Sequence, residues 1–234
     1  MKTLKIMTAA FLALTCSLTN AQNLKDKKEK LDNKYAIATG KKQLQKDIRQ
    51  LEAFEKKIAA FEDAFISHNT KRVKALKIDI LSDMKREIKQ SERKIEQDRI
   101  ELKQSQTELR NSKREFNKSK RDVLRRNSAK NRREFRDEKR DKNDDRRDLI
   151  DDKRDLKVQI ARTERQKEIY KEIKAFDFLA KRASGKRKLM TNSKLLNEFA
   201  KTMRADITST KKELKEDYQE MNEDKRERRE NFRG

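Results

Sequence analysis

Few residues in this sequence have the types and spacing that catalysis or metal binding needs. The one histidine, His68, lies in a predicted turn, and no glycine-rich phosphate loop or nucleophile–histidine–acid set is present. Asp141, Asn143 and Asp145 follow the spacing of a calcium-binding loop. That loop needs a glycine at its sixth position for a sharp turn, and this chain has Arg146 there. We therefore predict a protein that is not an enzyme, with no cofactor, no catalytic residues and no metal site.

Positive charge is the chemistry that this sequence does concentrate. Between positions 110 and 133 it has eleven lysines and arginines but only two acidic residues, Glu115 and Asp122. Such a cluster attracts phosphates, carboxylates and anionic lipid head groups, and we name it the basic tip. The basic tip comprises Arg110, Lys113, Arg114, Lys118, Lys120, Arg121, Arg125, Arg126, Lys130, Arg132 and Arg133.

Two interpretations of the basic tip remain open. It is either a binding site for acidic envelope polymers or lipid head groups, or a solvated helix surface without a partner. No aromatic residue lies between Phe116 and Phe135 to stack on nucleic-acid bases. Sequence-specific nucleic-acid binding is therefore not expected.

The elements that position the basic tip must be helices. Charged residues make up 46% and hydrophobic residues 32% of the 234-residue chain, which is too little apolar surface for a thick core. A helix needs only a narrow apolar stripe, and the chain has no proline and three glycines to interrupt one. A net charge of +23 with low hydrophobicity is also typical of disorder, but the regular repeat described next argues against it. We predict an all-α fold of long amphipathic helices.

An apolar residue recurs at every seventh position through the middle of the chain, from Leu81 to Val123. A small or polar residue, most often serine, lies four positions before each of the later ones. This pattern predicts a coiled-coil helix with one apolar and one polar seam position in each heptad. The predicted coiled-coil seam comprises Leu81, Ile88, Ile95, Leu102, Leu109, Phe116, Val123, Phe135, Leu149 and Leu156.

The seam predicts two helices that fold back on each other. A narrow apolar stripe needs a partner helix to bury it, and residues 127–131 include asparagine and serine that favour a turn. A reversal there places Val123 opposite Phe135. The same reversal places Leu109 opposite Leu149.

The alternative is one uninterrupted helix over about residues 71–183, because no glycine or proline enforces the reversal. Wider apolar stripes return on both sides of the narrow seam. We therefore predict a four-helix bundle base with a protruding antiparallel coiled-coil hairpin. The predicted segments are a charged lead-in at 22–40 that could form a short helix ended by Gly40, the bundle base at 41–95 and 158–221, the hairpin at 96–157 with its tip near 127–131, and a charged, frayed tail at 222–234.

Residues 1–21 have the pattern of a cleaved signal peptide. Two lysines precede an apolar run that is too short to span a bilayer, and Ala21 ends a small-residue cleavage site. We predict a periplasmic or secreted protein after cleavage near Ala21. The alternative is lipid anchoring at Cys16, although Thr15 departs from the residues usual before a lipidated cysteine.

An exported, basic chain with long helical arms suggests three functions. The first is a non-enzymatic interaction or scaffold protein of the bacterial cell envelope, which binds protein partners or itself through the coiled coil. The second is a holdase-like chaperone that clamps unfolded envelope proteins. The third is a binder of polyanions or membrane surfaces through the basic tip. In layout the chain resembles periplasmic holdase chaperones, which also have a small strand-containing body without a residue-by-residue counterpart in this sequence.

Overall fold

The structure is a computed structural model that describes residues 34–35, 37–176 and 185–231. The predictions that lie outside the described residues concern the signal peptide 1–21 with Cys16, the lead-in as far as residue 33, the part of the predicted bundle base at 177–184, and the tail residues 232–234.

The described chain is built from α-helices. They are α1 at 37–66, α2 at Thr70–Arg125, α3 at Ala129–Ala175 and α4 at Gly185–Asn231. No strand occurs in these ranges, and the all-α prediction is confirmed for the described residues. None of the described helices contains an apolar stretch long enough to cross a membrane.

Polar side chains set the helix ends close to where the sequence predicts them. Asn69 caps α2, because its side-chain oxygen accepts a hydrogen bond of 3.1 Å from the backbone N–H of Arg72. Ser128 caps α3 in the same way and accepts a 3.1 Å bond from the N–H of Asn131. His68 has a φ of 56°, a left-handed conformation that ends α1 and starts the turn into α2.

The C-terminus of α3 falls inside the predicted bundle-base segment 158–221. The helix ends at Ala175, and Phe176 is extended with φ −78° and ψ 124°. The ammonium group of Lys77, on α2, donates to the carbonyls of Lys174 at 3.2 Å and of Phe176 at 2.6 Å. A cation satisfies carbonyls that have no partner at a helix end and complements the helix dipole. Because this cation comes from another helix, the local sequence does not reveal the end.

The chain divides into two compact units, of which one runs from Phe54 to Thr202. The rings of Phe54 and Phe199 lie 5.5 Å apart in its core and are almost completely buried. Burial of each such side chain contributes about 1.5–3 kcal/mol, so this core is the main source of stability in the unit. Its buried apolar residues are Phe54, Ile58, Phe61, Ala64, Val73, Ile80, Met84, Ile88, Ile95, Leu109, Ile169, Ile173, Leu196, Phe199 and Ala200.

Within this unit α2 and α3 pack along each other in opposite directions. The ammonium of Lys167 lies 2.6 Å from a carboxylate oxygen of Glu92, far from the connecting turn. Close to the turn, the ring centroids of Phe116 and Phe135 are 5.2 Å apart. Residue numbers therefore rise along α2 as they fall along the facing part of α3.

The second unit combines the described residues up to Ala53 with those from Met203 onward. Gly40 lies inside α1, whereas the lead-in prediction places it at a helix end. A Cβ atom on residue 40 would lie 2.7 Å from Cδ2 of the buried Leu214. Glycine at this position therefore permits close packing and does not end the helix.

The segment predicted as a frayed tail is helical through Asn231, because α4 continues into it. Nearer the middle of α4, Met203 and Ile207 are buried one turn apart. This spacing is the amphipathic pattern from which the sequence predicts the helix.

Candidate anion-binding tip

The basic tip surrounds the turn between α2 and α3. Residues 126–128 are not helical, and Arg126 is extended with φ −141°. The side-chain amide of Asn131 donates to the backbone carbonyls of Asp122 at 3.0 Å and Arg126 at 2.7 Å. Together with the cap by Ser128, these bonds hold the reversal without glycine or proline. The turn therefore lies within one residue of the predicted segment 127–131.

All eleven cations of the basic tip are exposed. Lys130 is the one member whose charged group lies within 4.0 Å of a described carboxylate, at 3.9 Å from Glu134. The other ten form no such ion pair with a described residue. Arg121, for example, directs its guanidinium to the backbone carbonyl of Asn117 at 3.3 Å, which does not neutralise its charge. The positive charge of the tip is thus available to a partner.

The arginines farther along α3 have a different environment. Three of them pair with a carboxylate three positions earlier on the same helix, where opposite charges are neighbours. Each pair is close to neutral when viewed from a distance, so these three arginines add little to the positive potential around α3. The three pairs are Arg140 with Asp137, Arg147 with Asp144, and Arg154 with Asp151.

Carboxylates on α3 near the tip are crowded and partly removed from water. Desolvation raises the pKa of Glu138, and the negative charges of Glu115 and Asp141 raise it further. Desolvation also raises the pKa of Asp148, followed in effect by the nearby charge of Asp145. These acids therefore take up protons before ordinary acids do as the pH falls, and the net positive charge of α3 increases.

The ten predicted seam residues are all buried or half-buried. Leu109 is 8% exposed and lines the same groove as Leu149, the residue that the predicted reversal places opposite it. The ring of Phe135 contacts that of Phe116, which lies one heptad before Val123 on α2. The ring contact of Phe135 thus lies one heptad away from the predicted Val123–Phe135 pairing.

Sequence reasoning missed the polar half of the seam on α3. Three half-buried acids there are spaced by seven and begin three residues after Phe135. The acids lie seven residues apart on α3, and the buried serines lie seven residues apart on α2. Because the two helices run in opposite directions, the last acid is level with the first serine. This matched spacing is the signal that could have revealed them. Ser105 bonds to Asp152, and the same spacing places Ser112 at the level of Asp145 and Ser119 at the level of Glu138.

The three serines do not make equivalent bonds. The hydroxyl of Ser105 lies within hydrogen-bond distance of two acceptors, Oδ2 of Asp152 across the seam and the carbonyl of Glu101 in α2 at 3.1 Å. The hydroxyls of Ser112 and Ser119 instead donate within α2, to the carbonyls of Leu109 at 3.3 Å and of Phe116 at 3.0 Å. One serine layer therefore links α2 and α3 directly.

A groove of about 540 Å³ lies between α2 and α3 on one side of the seam. Its apolar residues are flanked by cations, and no acidic residue lines it. The ammonium of Lys142 lies 3.9 Å from the ring centroid of Phe116, a cation–π contact. The groove is lined by Leu109, Lys113, Phe116, Asn117, Lys142, Arg146, Leu149, Ile150 and Lys153.

Within the described ranges, no group of three or more histidine, cysteine, aspartate or glutamate side chains is placed to hold a metal ion. No protein-family model, curated protein or solved structure matches this chain.

Proposed function

We propose that this chain is an exported, non-enzymatic interaction protein of the bacterial cell envelope that binds anionic partners through its basic tip. Export is inferred from the signal-like residues 1–21. The interaction role is inferred from a chain whose long helices place charged groups in solvent and whose sequence contains no catalytic set.

In this proposal the four helices of the unit from Phe54 to Thr202 form a bundle base. The narrow seam beyond Ile95 then continues as an antiparallel coiled-coil hairpin of α2 and α3. Support comes from the burial pattern: the largest buried side chains lie before Ile95 on α2 and after Gln159 on α3. A wide apolar stripe needs several neighbouring helices and a narrow one needs a single partner.

One observation supports the basic tip as the binding surface. Ten of its eleven cations have no described carboxylate within ion-pair distance, whereas three arginines farther along α3, Arg140, Arg147 and Arg154, are paired. A charged surface that served solubility alone would gain from internal pairs at helical spacing. Cations without such pairs keep their full attraction for phosphates, sulfates or carboxylates.

The test is binding to heparin, a soluble polyanion, as a function of salt. We expect the variant Arg121→Glu, Arg125→Glu, Arg126→Glu to elute at much lower salt than the unmodified protein. Loss of three cations should lower the slope of log affinity against log salt by about two to three, by analogy with phosphate binding.

A matched control separates the tip from net charge. Lys85, Arg93 and Lys103 are exposed on α2 outside the tip, and their change to glutamate alters net charge by the same amount. We expect this control to retain most of the affinity. Equal losses in both variants would mean that overall charge, and not the tip, attracts the polyanion, and the proposal would fail.

A second candidate function is the holdase-like chaperone, which the groove between α2 and α3 favours. Leu109, Phe116, Leu149 and Ile150 offer apolar contact at the edge of a cationic surface. Unfolded polypeptides expose apolar side chains that such a groove could cover.

The holdase candidate is tested by suppression of aggregation of an outer-membrane protein diluted from urea. Ile150→Asp places a charge in the groove, and Ile66→Asp places one at another exposed isoleucine outside it; their exposures are 54% and 66%. Suppression lost in the first variant but kept in the second supports the groove. Equal suppression by both variants and the unmodified protein excludes it.

A further inference from the structure

Leu124 is the most exposed large apolar side chain among the described residues, at 78%. It lies in the last turn of α2, next to the reversal. Lys120 and Arg121 precede it by four and three positions and so share its face of the helix, and Arg125 follows it directly. The end of the hairpin thus presents one apolar side chain within a group of exposed, positively charged ones.

We propose that the basic tip docks on the surface of an anionic lipid bilayer, with Leu124 inserted at the boundary between head groups and acyl chains. This inference rests on the proposed function of the tip and specifies its partner. Cations near an anionic membrane each strengthen binding roughly fivefold, and an inserted leucine adds about tenfold or more. Arginine and lysine side chains reach head-group phosphates while their methylene stems lie beside the apolar residue.

The exposed leucine favours a bilayer over a dissolved polyanion. Nucleic acids and anionic glycans offer charges for the tip but no hydrocarbon in which Leu124 could be buried. Aromatic residues that would stack on bases are absent between Phe116 and Phe135. A bilayer with anionic head groups supplies both the charge and the apolar layer.

The sequence provides a clean reporter for this insertion because it contains no tryptophan. We would change Leu124→Trp in the full chain and record its fluorescence with vesicles of phosphatidylglycerol and phosphatidylcholine. The expected result is a blue shift of the emission, which is absent with phosphatidylcholine alone. Ile100→Trp, at a position on α2 that is 59% exposed but outside the tip, is the matched control and should not shift. No shift for Leu124→Trp, or an equal shift for both, overturns the inference.

Binding measurements distinguish this inference from the proposed function. Leu124→Gln should weaken sedimentation with anionic vesicles by about tenfold and leave heparin binding unchanged. The triple change of Arg121, Arg125 and Arg126 to glutamate should weaken both. If Leu124→Gln has no effect on vesicles while the charge reversal weakens heparin binding, the bilayer inference fails and the anion-binding tip stands. If the charge reversal affects neither, both fail.

Discussion

Two serines on α2 allow the contribution of the seam to stability to be measured with an internal control. Ser105 and Ser112 occupy equivalent positions one heptad apart and are 9% and 6% exposed. Ser105 has Asp152 as an acceptor across the seam besides the carbonyl of Glu101 on its own helix, while the acceptor of Ser112 is a carbonyl of its own helix. Ser105→Ala therefore removes a link between α2 and α3, and Ser112→Ala does not.

The magnitude follows from the bond that is lost. A hydrogen bond to a charged group contributes about 1.5–3 kcal/mol net, and the half-buried Asp152 can replace part of it with water. Alanine regains up to about 0.5 kcal/mol of helix propensity at either position. We therefore expect Ser105→Ala to lower the free energy of unfolding by about 1 kcal/mol. Ser112→Ala should change it by no more than about 0.5 kcal/mol in either direction.

The assay is urea unfolding followed by far-ultraviolet circular dichroism. A double-mutant cycle with Asp152→Ala, which removes the acceptor, isolates the interaction of the two side chains. We expect a coupling free energy of about 1 kcal/mol between positions 105 and 152. Equal destabilisation by Ser105→Ala and Ser112→Ala, with no coupling to position 152, would refute the layer pairing of α2 with α3.

Three further predictions concern packing and pH. Phe199→Ala empties a fully buried core site and should cost about 3–5 kcal/mol in the urea assay, and a loss below about 1 kcal/mol would contradict the core. Hydrogen bonds from Arg165 lower the pKa of Glu198 below its ordinary value of 4.5. The interaction of the Glu198 carboxylate with Arg165 therefore stabilises the fold fully above pH 4.5, and this stabilisation disappears as the pH falls through the lowered pKa. The urea midpoint of Glu198→Gln should therefore lie below that of the unmodified protein at neutral pH and meet it in acid; a constant difference would contradict this. Gly40→Ala should be better tolerated in a Leu214→Ala background than alone, measured as a positive coupling in thermal unfolding, and additive effects would argue against their contact.

Much of the helix layout could be predicted from local patterns. The seven-residue apolar repeat from Leu81 to Val123 predicts a helix through that segment, and α2 runs from Thr70 to Arg125. The turn was predictable because asparagine and serine bond readily to nearby backbone groups. Asn131 and Ser128 make such bonds in the structure.

The features that local patterns do not reveal depend on residues distant in the chain. Asp152 lies in a highly charged segment whose composition predicts a solvent-exposed surface. Its hydrogen bond with Ser105 on α2 makes it part of the seam. In the sequence, Gly40 suggests a helix end. In the structure, Leu214 packs so close to it that a Cβ atom would not fit. The end of α3 depends on a donor from Lys77, 99 positions before Phe176. In each case tertiary packing overrides a local preference.

The basic tip was visible in the sequence as a charge cluster, but its lack of ion pairs was not. Helical spacing alone allows Lys130 to pair with Glu134, which it does at 3.9 Å. The exposure of Leu124 among the cations likewise required the position of the turn relative to α2. The sequence therefore predicts the cluster of cations, and the structure adds that Leu124 is exposed among them.

The most direct test of the account is the distance between spin labels at positions 100 and 158 in one chain. Ile100 and Val158 are 59% and 48% exposed, so labels there should not disturb the seam. Packed antiparallel helices lie about 8–10 Å apart, and the labels should report about 10–30 Å, also after dilution with unlabelled protein. An uninterrupted helix would separate these positions by about 87 Å at 1.5 Å per residue. A distance of that order, or a short distance that is lost on dilution with unlabelled protein, would contradict the fold-back of α3 on α2 within the same chain.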